Sequence, residues 1–270
     1  MKSRLALTGV IATWMLMSTG GATLAMSGSI SSGTSVDPSE PLGALVHAGF
    51  ENGFSGWNMA GVGDVEPTIS NNVVDTGGGS AKVILTGSQG RSELILGGNG
   101  DRDFSGATRF TEGQERYYAF SFLVKSMQYG GPGAHNLITQ FKSDGEGSPN
   151  FGLQLWDYAG DRGVGGGKGL WSAGEAMGGD RYLAPIAHNQ WNDVVIHFKA
   201  SRTGQGFYEL FLNGRLIDSR QNVSMIRPDR QYGYLKTGIY RNGGAIPGTS
   251  EIRLDRARLG TTLEQVVATP

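Results

Sequence analysis

Residues 207–218 read FYELFLNGRLID and give a strong local signal for the fold. Asn213-Gly214 is a dipeptide that favours a two-residue β-turn, because both residues tolerate the positive φ angles that such a turn requires. Apolar and polar side chains alternate on each side of it, as they do in strands with one buried face. The stretch therefore predicts a β-hairpin in which Phe207–Leu212 pairs with residues 215–218.

The same alternation with a period of two recurs along the chain from Leu45 onward, in segments bounded by Gly, Pro, Asn or Asp. The segments are 81–86, 91–96, 116–125, 136–142, 150–156, 191–199, 207–213, 234–241 and 251–259. No long segment repeats at helical spacing, and only residues 263–267 are suited to a terminal helical turn. We therefore predict an all-β fold, a β-sandwich of two antiparallel sheets of the jelly-roll type.

Composition excludes several other classes of protein. The 270 residues include 45 Gly and 9 Pro spread between the apolar runs, which disfavours a helix bundle and suits strands joined by Gly-rich turns. With 38% hydrophobic and 17% charged residues, the chain can bury a core and is not disordered. The glycines have no triplet period, which excludes collagen, and the lack of cysteine excludes a disulfide framework. The formal net charge of −1 gives no global field for nucleic acid, so we predict no nucleic-acid partner.

The first 25 residues have the layout of a secretory signal peptide. Lys2 and Arg4 precede an apolar stretch over residues 5–17, and Thr23-Leu24-Ala25 supplies the end of a cleavage site. That stretch is too short to span a bilayer comfortably, since spanning takes about 20 apolar residues. We predict a signal peptide over 1–25, a flexible leader over 26–44 and a β-jelly-roll domain over 45–270. The protein is expected to be secreted or periplasmic, monomeric and without a membrane partner.

The alternation of polar and apolar residues also assigns the side chains to the two faces of each strand. On five of the predicted strands, one face carries Arg, Gln, Asn, Trp, His, Lys and Tyr rather than ordinary solvent-facing residues. If these strands share a sheet, they form a cleft with an aromatic floor and convergent donors, which suits a sugar polymer. A solvated face with chance enrichment is the alternative. By the same parity, Leu137 and Phe141 face the core and His135 points away from Gln140.

Several short blocks occur in a fixed order between Phe50 and Gly260. They are GFENG (49–53), RSEL (91–94), EGQERYY (112–118), ITQFK (138–142), WNDVVIH (191–197), YLKTGIYR (234–241) and LDRARLG (254–260). This order resembles that of the bacterial heparin-lyase-I-like and glucuronan-lyase-like polysaccharide lyases. The RSEL and YxKxGxY blocks are also similar to those of jelly-roll alginate lyases. The resemblance implies a concanavalin-A-like jelly roll that cleaves a uronate-containing polysaccharide by β-elimination, with no cofactor required for the chemistry.

Such a reaction removes the proton at C5 of a uronate and expels the glycosidic oxygen at C4. The C5 proton becomes sufficiently acidic only after cationic or amide donors neutralise the adjacent carboxylate. A base must then reach C5–H, and an acid must protonate the leaving oxygen. Hydrolysis would instead need paired carboxylates, and Glu93 has no obvious outward-facing partner.

The resemblance assigns the catalytic roles to residues on the polar face. Tyr240 is the expected acid, and the base if nearby cations ionise it; a tyrosine that only stacks on the sugar is the alternative. Lys236 is expected to bind the substrate carboxylate, because lysine is usually cationic at neutral pH. Gln140 and Arg91 suit carboxylate neutralisation, or else form a structural polar pair in which Glu93 holds Arg91.

Lys142 marks a departure from the related lyases, which carry a histidine at this position. A lysine can neutralise a carboxylate but is a poor base unless its pKa is depressed. His197 is the predicted substitute base, with a histidine bonded within the sheet as the alternative. The residues predicted to bind substrate are Glu93, Asn136, Gln154, Trp156, His197 and Arg241.

Three further interpretations complete the sequence-based picture. Glu51 near the first strand and Asp255 on the last suggest a structural Ca²⁺ site that ties the termini together. The segment GVGGGKG (163–169) lacks the strand-to-helix context of a phosphate loop, so we predict a mobile loop at the cleft rim. Two functions stay open: a secreted polysaccharide lyase, or a non-catalytic carbohydrate-binding jelly roll in which Lys142 marks the loss of the base.

Overall fold

The computed structural model describes residues 44–59, 63–97, 108–158 and 167–267. The predicted signal peptide over 1–25 and all but the last residue of the predicted leader lie outside these ranges. The strands are β1 Val46–Ala48, β2 Trp57–Asn58, β3 Thr68–Ser70, β4 Ser80–Leu85, β5 Arg91–Leu96, β6 Glu115–Ser126, β7 Asn136–Ser143, β8 Phe151–Tyr158, β9 Gly167–Ala173, β10 Tyr182–Ala184, β11 Trp191–Lys199, β12 Gly206–Leu212, β13 Arg215–Val223, β14 Gly233–Arg241 and β15 Ser250–Gly260. A 3₁₀ turn, Glu175–Met177, lies between β9 and β10. Within the described ranges, no helix is long and apolar enough to cross a membrane.

The strands form two antiparallel sheets, which we call sheet A and sheet B. Sheet A has the order β13-β12-β11-β6-β15-β4-β3, with β1 also paired to β15. Sheet B has the order β10-β9-β8-β7-β14-β5-β2. Among the described strands, seven of the thirteen neighbouring pairs join strands that are not consecutive in the chain, as crossovers between two packed sheets require. The predicted all-β jelly-roll sandwich is confirmed.

The predicted hairpin with the Asn213-Gly214 turn joins β12 and β13. Leu212 pairs with Arg215, and Asn213 and Gly214 both have positive φ angles, 51° and 74°. Two consecutive positive φ angles are what a tight turn matching the twist of the strands requires. The hairpin is therefore confirmed, and its second strand continues beyond the predicted end to Val223.

Aromatic side chains from both sheets fill the space between them. The ring centroid of Phe141 on β7 lies 4.8 Å from that of Phe198 on β11 and 4.9 Å from that of Phe151 on β8. All three rings are fully buried. Burying each stabilises the fold by about 1.5–3 kcal/mol, so this contact holds the inner faces of the sheets together. The opposite face of sheet B is thereby displayed outward.

A bulge in β7 changes which side chains reach that outward face. Leu137 pairs with Gln154 and Thr139 pairs with Leu153, so β7 has one extra residue relative to β8. Ile138 joins the hydrophobic core whereas Leu137 does not. The prediction that Leu137 faces the core is therefore wrong, because strict alternation fails across an inserted residue.

Two other predictions need correction at the level of elements. The segment 191–199 is β11 and belongs to sheet A, so four rather than five of the chosen strands share sheet B. The predicted loop 163–169 is strand from Gly167 onward, and residues 163–166 lie outside the described ranges. The expected terminal turn is confirmed: the amides of Val266 and Val267 both donate to the carbonyl of Leu263 at 3.0 Å.

Candidate active site

The outward face of sheet B carries a cavity of about 580 Å³. Side chains of β5, β14, β7 and β8 form its floor, and the loops before β7, after β7 and after β9 contribute to its walls. All five residues predicted to carry the chemistry line it: Arg91, Gln140, Lys142, Lys236 and Tyr240. The geometry thus brings together the residues that alternation placed on one face, while their roles stay predictions.

Strand register explains why these side chains meet. Tyr240 on β14 lies directly opposite Arg91 on β5, and Lys236 lies opposite Gln140 on β7. Directly opposite residues of neighbouring antiparallel strands project on the same face. The guanidinium carbon of Arg91 lies 3.9 Å from the ring centroid of Tyr240, a cation–π contact that orients both groups.

A buried carboxylate, Glu93, lies beneath this cluster. Its side chain accepts a hydrogen bond from the Gln140 amide, and Arg91 Nε and Lys236 Nζ lie 3.3 and 3.9 Å from its Oε2. Burial raises the pKa of Glu93, while Lys236, the Gln140 hydrogen bond and Arg91 act in the opposite direction. Glu93 is 1% exposed, so it holds the cleft residues from below and the prediction that it contacts substrate is wrong.

The two lysines of the cavity are held differently. Burial lowers the pKa of Lys236; Glu93 raises it, and Arg91 lowers it further. Burial also lowers the pKa of Lys142, helped by the positive charge of Lys236. The Lys142 ammonium donates to the carbonyls of Gly147 at 2.6 Å and Gly145 at 3.2 Å. The loop after β7 therefore fixes Lys142 as a hydrogen-bond donor at the cavity wall.

His135 is a cavity residue that the sequence reasoning missed. Its imidazole centroid lies 4.5 Å from that of Tyr240, and its Nε2 is buried without a hydrogen-bond partner. Burial lowers its pKa, and Arg91 lowers it further, so the ring is neutral at neutral pH. The prediction that His135 points away from Gln140 is wrong, because the bulge of β7 lies between these two residues. The extra residue brings both side chains to the same face of the sheet. The amide of Asn242 donates to the His135 carbonyl at 3.0 Å, which extends the β7–β14 pairing by one step.

Gln154 and Trp156 on β8 line the cavity as predicted. The Gln154 amide donates to the carbonyl of Ser172 at 2.9 Å and to the carboxylate of Asp180 at 2.8 Å. Trp156 is almost fully buried and packs against Trp171, with ring centroids 5.5 Å apart. Asp180 is exposed at the cavity wall, and no sequence motif pointed to it.

Asn136 and Arg241 do not line the cavity. The fully buried Asn136 amide donates to the carbonyl of Gln128 at 2.7 Å. Arg241 is 1% exposed and donates to the carbonyls of Gly87 and Gly248, each at 2.9 Å. Their predicted contact with substrate is wrong, because carbonyls of the loops at the ends of the strands already bind both side chains.

His197 lies on β11 in sheet A, so the prediction that it faces the cleft is also wrong. Its ring lies between the carboxylates of Glu115 and Glu209, at 2.7 and 2.9 Å, and stacks on Tyr117 at 4.0 Å. Alternation assigned it correctly to a polar face but carries no information about which sheet the strand joins.

Glu51 and Asp255, the predicted calcium ligands, contact the same loop. Glu51 accepts a hydrogen bond from the Gly78 amide, and Asp255 accepts from the amides of Asp75 at 2.8 Å and Thr76 at 3.3 Å. Burial raises the pKa of Asp255 to about 6, against the effect of these hydrogen bonds. Among the described residues, no group of three or more His, Asp or Glu side chains is arranged to hold a metal ion. Calcium binding here stays a prediction.

Fold and site together define a jelly-roll protein with a cationic cleft beside a tyrosine–histidine pair. Residues 51–258 match the family model described as polysaccharide lyase, so the chain belongs to the polysaccharide lyase family. The resemblance stated from the sequence motifs is confirmed, and the protein is a polysaccharide lyase.

Solved structures of similar fold include two lyases. The endo-β-1,4-glucuronan lyase from the fungus Trichoderma reesei is 19% identical, with a TM-score of 0.57 over 82% of this chain and 96% of that chain. The alginate lyase Aly36B is 13% identical, with a TM-score of 0.51 over 80% of this chain and 96% of that chain. At these identities the likeness establishes the fold. A search of curated proteins found no match.

Proposed function

We propose that this lyase cleaves an acidic, uronate-containing polysaccharide by β-elimination in the cavity of sheet B. The observation that carries the proposal is the convergence of Arg91, Lys142, Lys236 and the Gln140 amide on one cavity that also holds Tyr240. The similar structures are described as lyases of glucuronan and alginate, which are uronate polymers, and this supports the same substrate class.

The cationic cluster performs the first step, neutralisation of the substrate carboxylate. One N–H of the Gln140 amide is bound by Glu93, which leaves its second N–H for the substrate. Lys142, two residues further along β7, and Lys236 on the neighbouring strand β14 add positive charge beside this position. Donors held in place before substrate arrives stabilise the enolate-like charge that develops when the C5 proton leaves.

Tyr240 and His135 perform the proton transfers. Neutral His135 takes the proton from C5, the C5–H electron pair forms the C4=C5 double bond, and the C4–O bond breaks. Tyr240 gives its proton to the departing glycosidic oxygen. Because the two rings are in contact at 4.5 Å, the proton on His135 can return to Tyr240 and restore the starting state.

Replacement of Tyr240 by phenylalanine tests this assignment. Tyr240→Phe keeps the ring under Arg91 and removes only the acid, so turnover should fall by about 10²–10⁴ while oligosaccharide affinity stays nearly unchanged. Tyr158→Phe, at the far end of β8, is the matched control and should behave like the wild-type enzyme. Ultraviolet absorbance of the unsaturated uronate product reports turnover. Full activity of Tyr240→Phe would reject its role, and absence of product from glucuronan, alginate and a uronate-containing heteropolymer alike would favour a binding protein.

The proposal extends to the whole chain. It includes a signal peptide over 1–25, a leader over 26–44, a catalytic domain over 45–270 and a monomeric enzyme. The layout of the first 25 residues supports the export of this enzyme. N-terminal sequencing of the secreted protein should give a sequence that begins near Met26.

We also propose a structural Ca²⁺ held by Glu51 and Asp255. Added calcium should then raise the melting temperature of the protein, and an unchanged melting temperature would reject this site.

A further inference from the structure

The cations of the cavity all lie on one half of sheet B. Lys142 is on β7, Lys236 on β14 and Arg91 on β5, three strands that are neighbours in that order. The other half is formed by β8 and the loop after β9, and the described residues there add no lysine or arginine to the cavity lining. A uronate carboxylate therefore finds its complementary charge in the first half only.

The second half presents a carboxylate instead. Asp180 is exposed at the cavity wall, and Gln154 holds its Oδ1 at 2.8 Å. The carbonyl of Ser172 fixes that same amide at 2.9 Å, so the Asp180 carboxylate has a defined position. A second uronate placed beside it would bring two like charges together, which disfavours ionisation of both.

What the second half does suit is an uncharged sugar. A carboxylate accepts hydrogen bonds, and sugar hydroxyls donate them. Trp156, packed on Trp171, gives this part of the cavity an apolar wall. Gln154 on β8 lies two strands from Lys236 on β14, which corresponds to about 10 Å at the usual strand spacing. The two halves therefore contact neighbouring sugars rather than the same one.

We propose that the cavity selects a heteropolymer in which the uronate that is cleaved is bonded to an uncharged, hydroxyl-rich sugar, and that Asp180 selects against a polymer of uronates alone. The inference rests on the proposed function, because it assigns neighbouring subsites of the same cleft. Asp180 acts as a specificity-determining residue and takes no part in the proton transfers.

Asp180→Asn tests the proposal, because asparagine keeps the shape and the acceptor for Gln154 while removing the charge. Its kcat/KM on glucuronan should rise about tenfold at low ionic strength, and the gain should shrink in high salt. Glu175→Gln is the matched control: it removes an exposed carboxylate from the adjoining 3₁₀ turn, outside this cavity. It should change kcat/KM less than twofold. An unchanged rate for Asp180→Asn, or an equal gain for both variants, would overturn the proposal.

A binding measurement separates this inference from the proposed function. The Tyr240→Phe protein should bind an alternating glucuronate–N-acetylglucosamine tetrasaccharide from hyaluronan about tenfold more tightly than a glucuronate tetrasaccharide. Adding Asp180→Asn should abolish that preference. Equal or reversed affinities would reject the selection by Asp180 while the lyase assignment stands. If the wild-type enzyme cleaves neither glucuronan nor hyaluronan, and the Tyr240→Phe protein binds neither tetrasaccharide, the proposed function itself fails.

Discussion

Arg241→Met should destabilise the protein without weakening substrate binding. The guanidinium donates to the carbonyls of Gln89, Gly87 and Gly248, each at 2.9 Å, and to the Ser250 hydroxyl at 3.0 Å. Gly87 and Gln89 lie just before β5. Gly248 lies between β14 and β15, and Ser250 is the first residue of β15. Arg241 therefore ties together the β4–β5 and β14–β15 connections, both of which join sheet A to sheet B.

The magnitude follows from this set of bonds. A hydrogen bond to a charged group contributes about 1.5–3 kcal/mol, and partial rehydration of the loop carbonyls offsets some of the loss. We expect the free energy of unfolding to fall by about 3–5 kcal/mol. For a domain of this size each kcal/mol lowers the melting temperature by about 2–4 °C, so the decrease should be roughly 10 °C.

Thermal unfolding followed by circular dichroism measures this change, and KM on the polysaccharide is measured well below the transition. Arg215→Met, an exposed arginine on β13, is the control and should leave the melting temperature within about 2 °C. A stable Arg241→Met protein with a strongly raised KM would refute the reasoning, since Arg241 would then bind substrate after all.

Three other changes should have distinct signatures. Gly238→Ala places a methyl group against the β5 backbone at a φ of 143° and should cost about 1–3 kcal/mol by denaturant unfolding. Gly244→Ala is the control, because its methyl group meets only the Asn242 side chain at 3.8 Å; equal unfolding midpoints for the two variants would contradict the prediction. Lys236→Met should raise KM at low salt, and this increase should shrink at high salt. Lys199→Met, on sheet A, is the control and should leave KM unchanged. An increase in KM that does not depend on salt would count against charge attraction. Burial and Arg91 hold the pKa of His135 below 6.5, so kcat/KM should rise with pH through a value below 6.5 as the imidazole loses its proton. If the same rise of kcat/KM with pH persists in His135→Gln, His135 is not the group that titrates.

The sequence was a sound guide where strands alternate without interruption. β5 and β14 pair regularly from Lys236 to Tyr240, so Arg91, Lys236 and Tyr240 all reach the cavity as predicted. β7 differs because its bulge shifts the parity at Leu137. The sequence of β7 alone does not mark the extra residue of the bulge, because a residue is extra only relative to the partner strand.

The remaining errors arise from long-range structure. His197 has the correct parity, but its strand pairs with β6 and β12 in sheet A. Glu93 is polar yet buried, because Gln140 on β7 and Lys236 on β14 enclose it together with Arg91 of its own strand. His135 reaches Tyr240 only through the pairing of β7 with β14. Such placements depend on contacts between distant segments, which periodicity within one segment does not encode.

The most direct test of the account is the rate at which wild-type and His135→Gln proteins form the unsaturated uronate product on a uronate polymer. The wild-type enzyme should generate the ultraviolet absorbance of that product. His135→Gln should lower kcat by about 10²–10⁴ and leave KM within a fewfold of wild type, because it removes the base and keeps the carboxylate-binding cluster. An unchanged kcat in His135→Gln, or a wild-type enzyme that forms no unsaturated product from any uronate polymer, would contradict it.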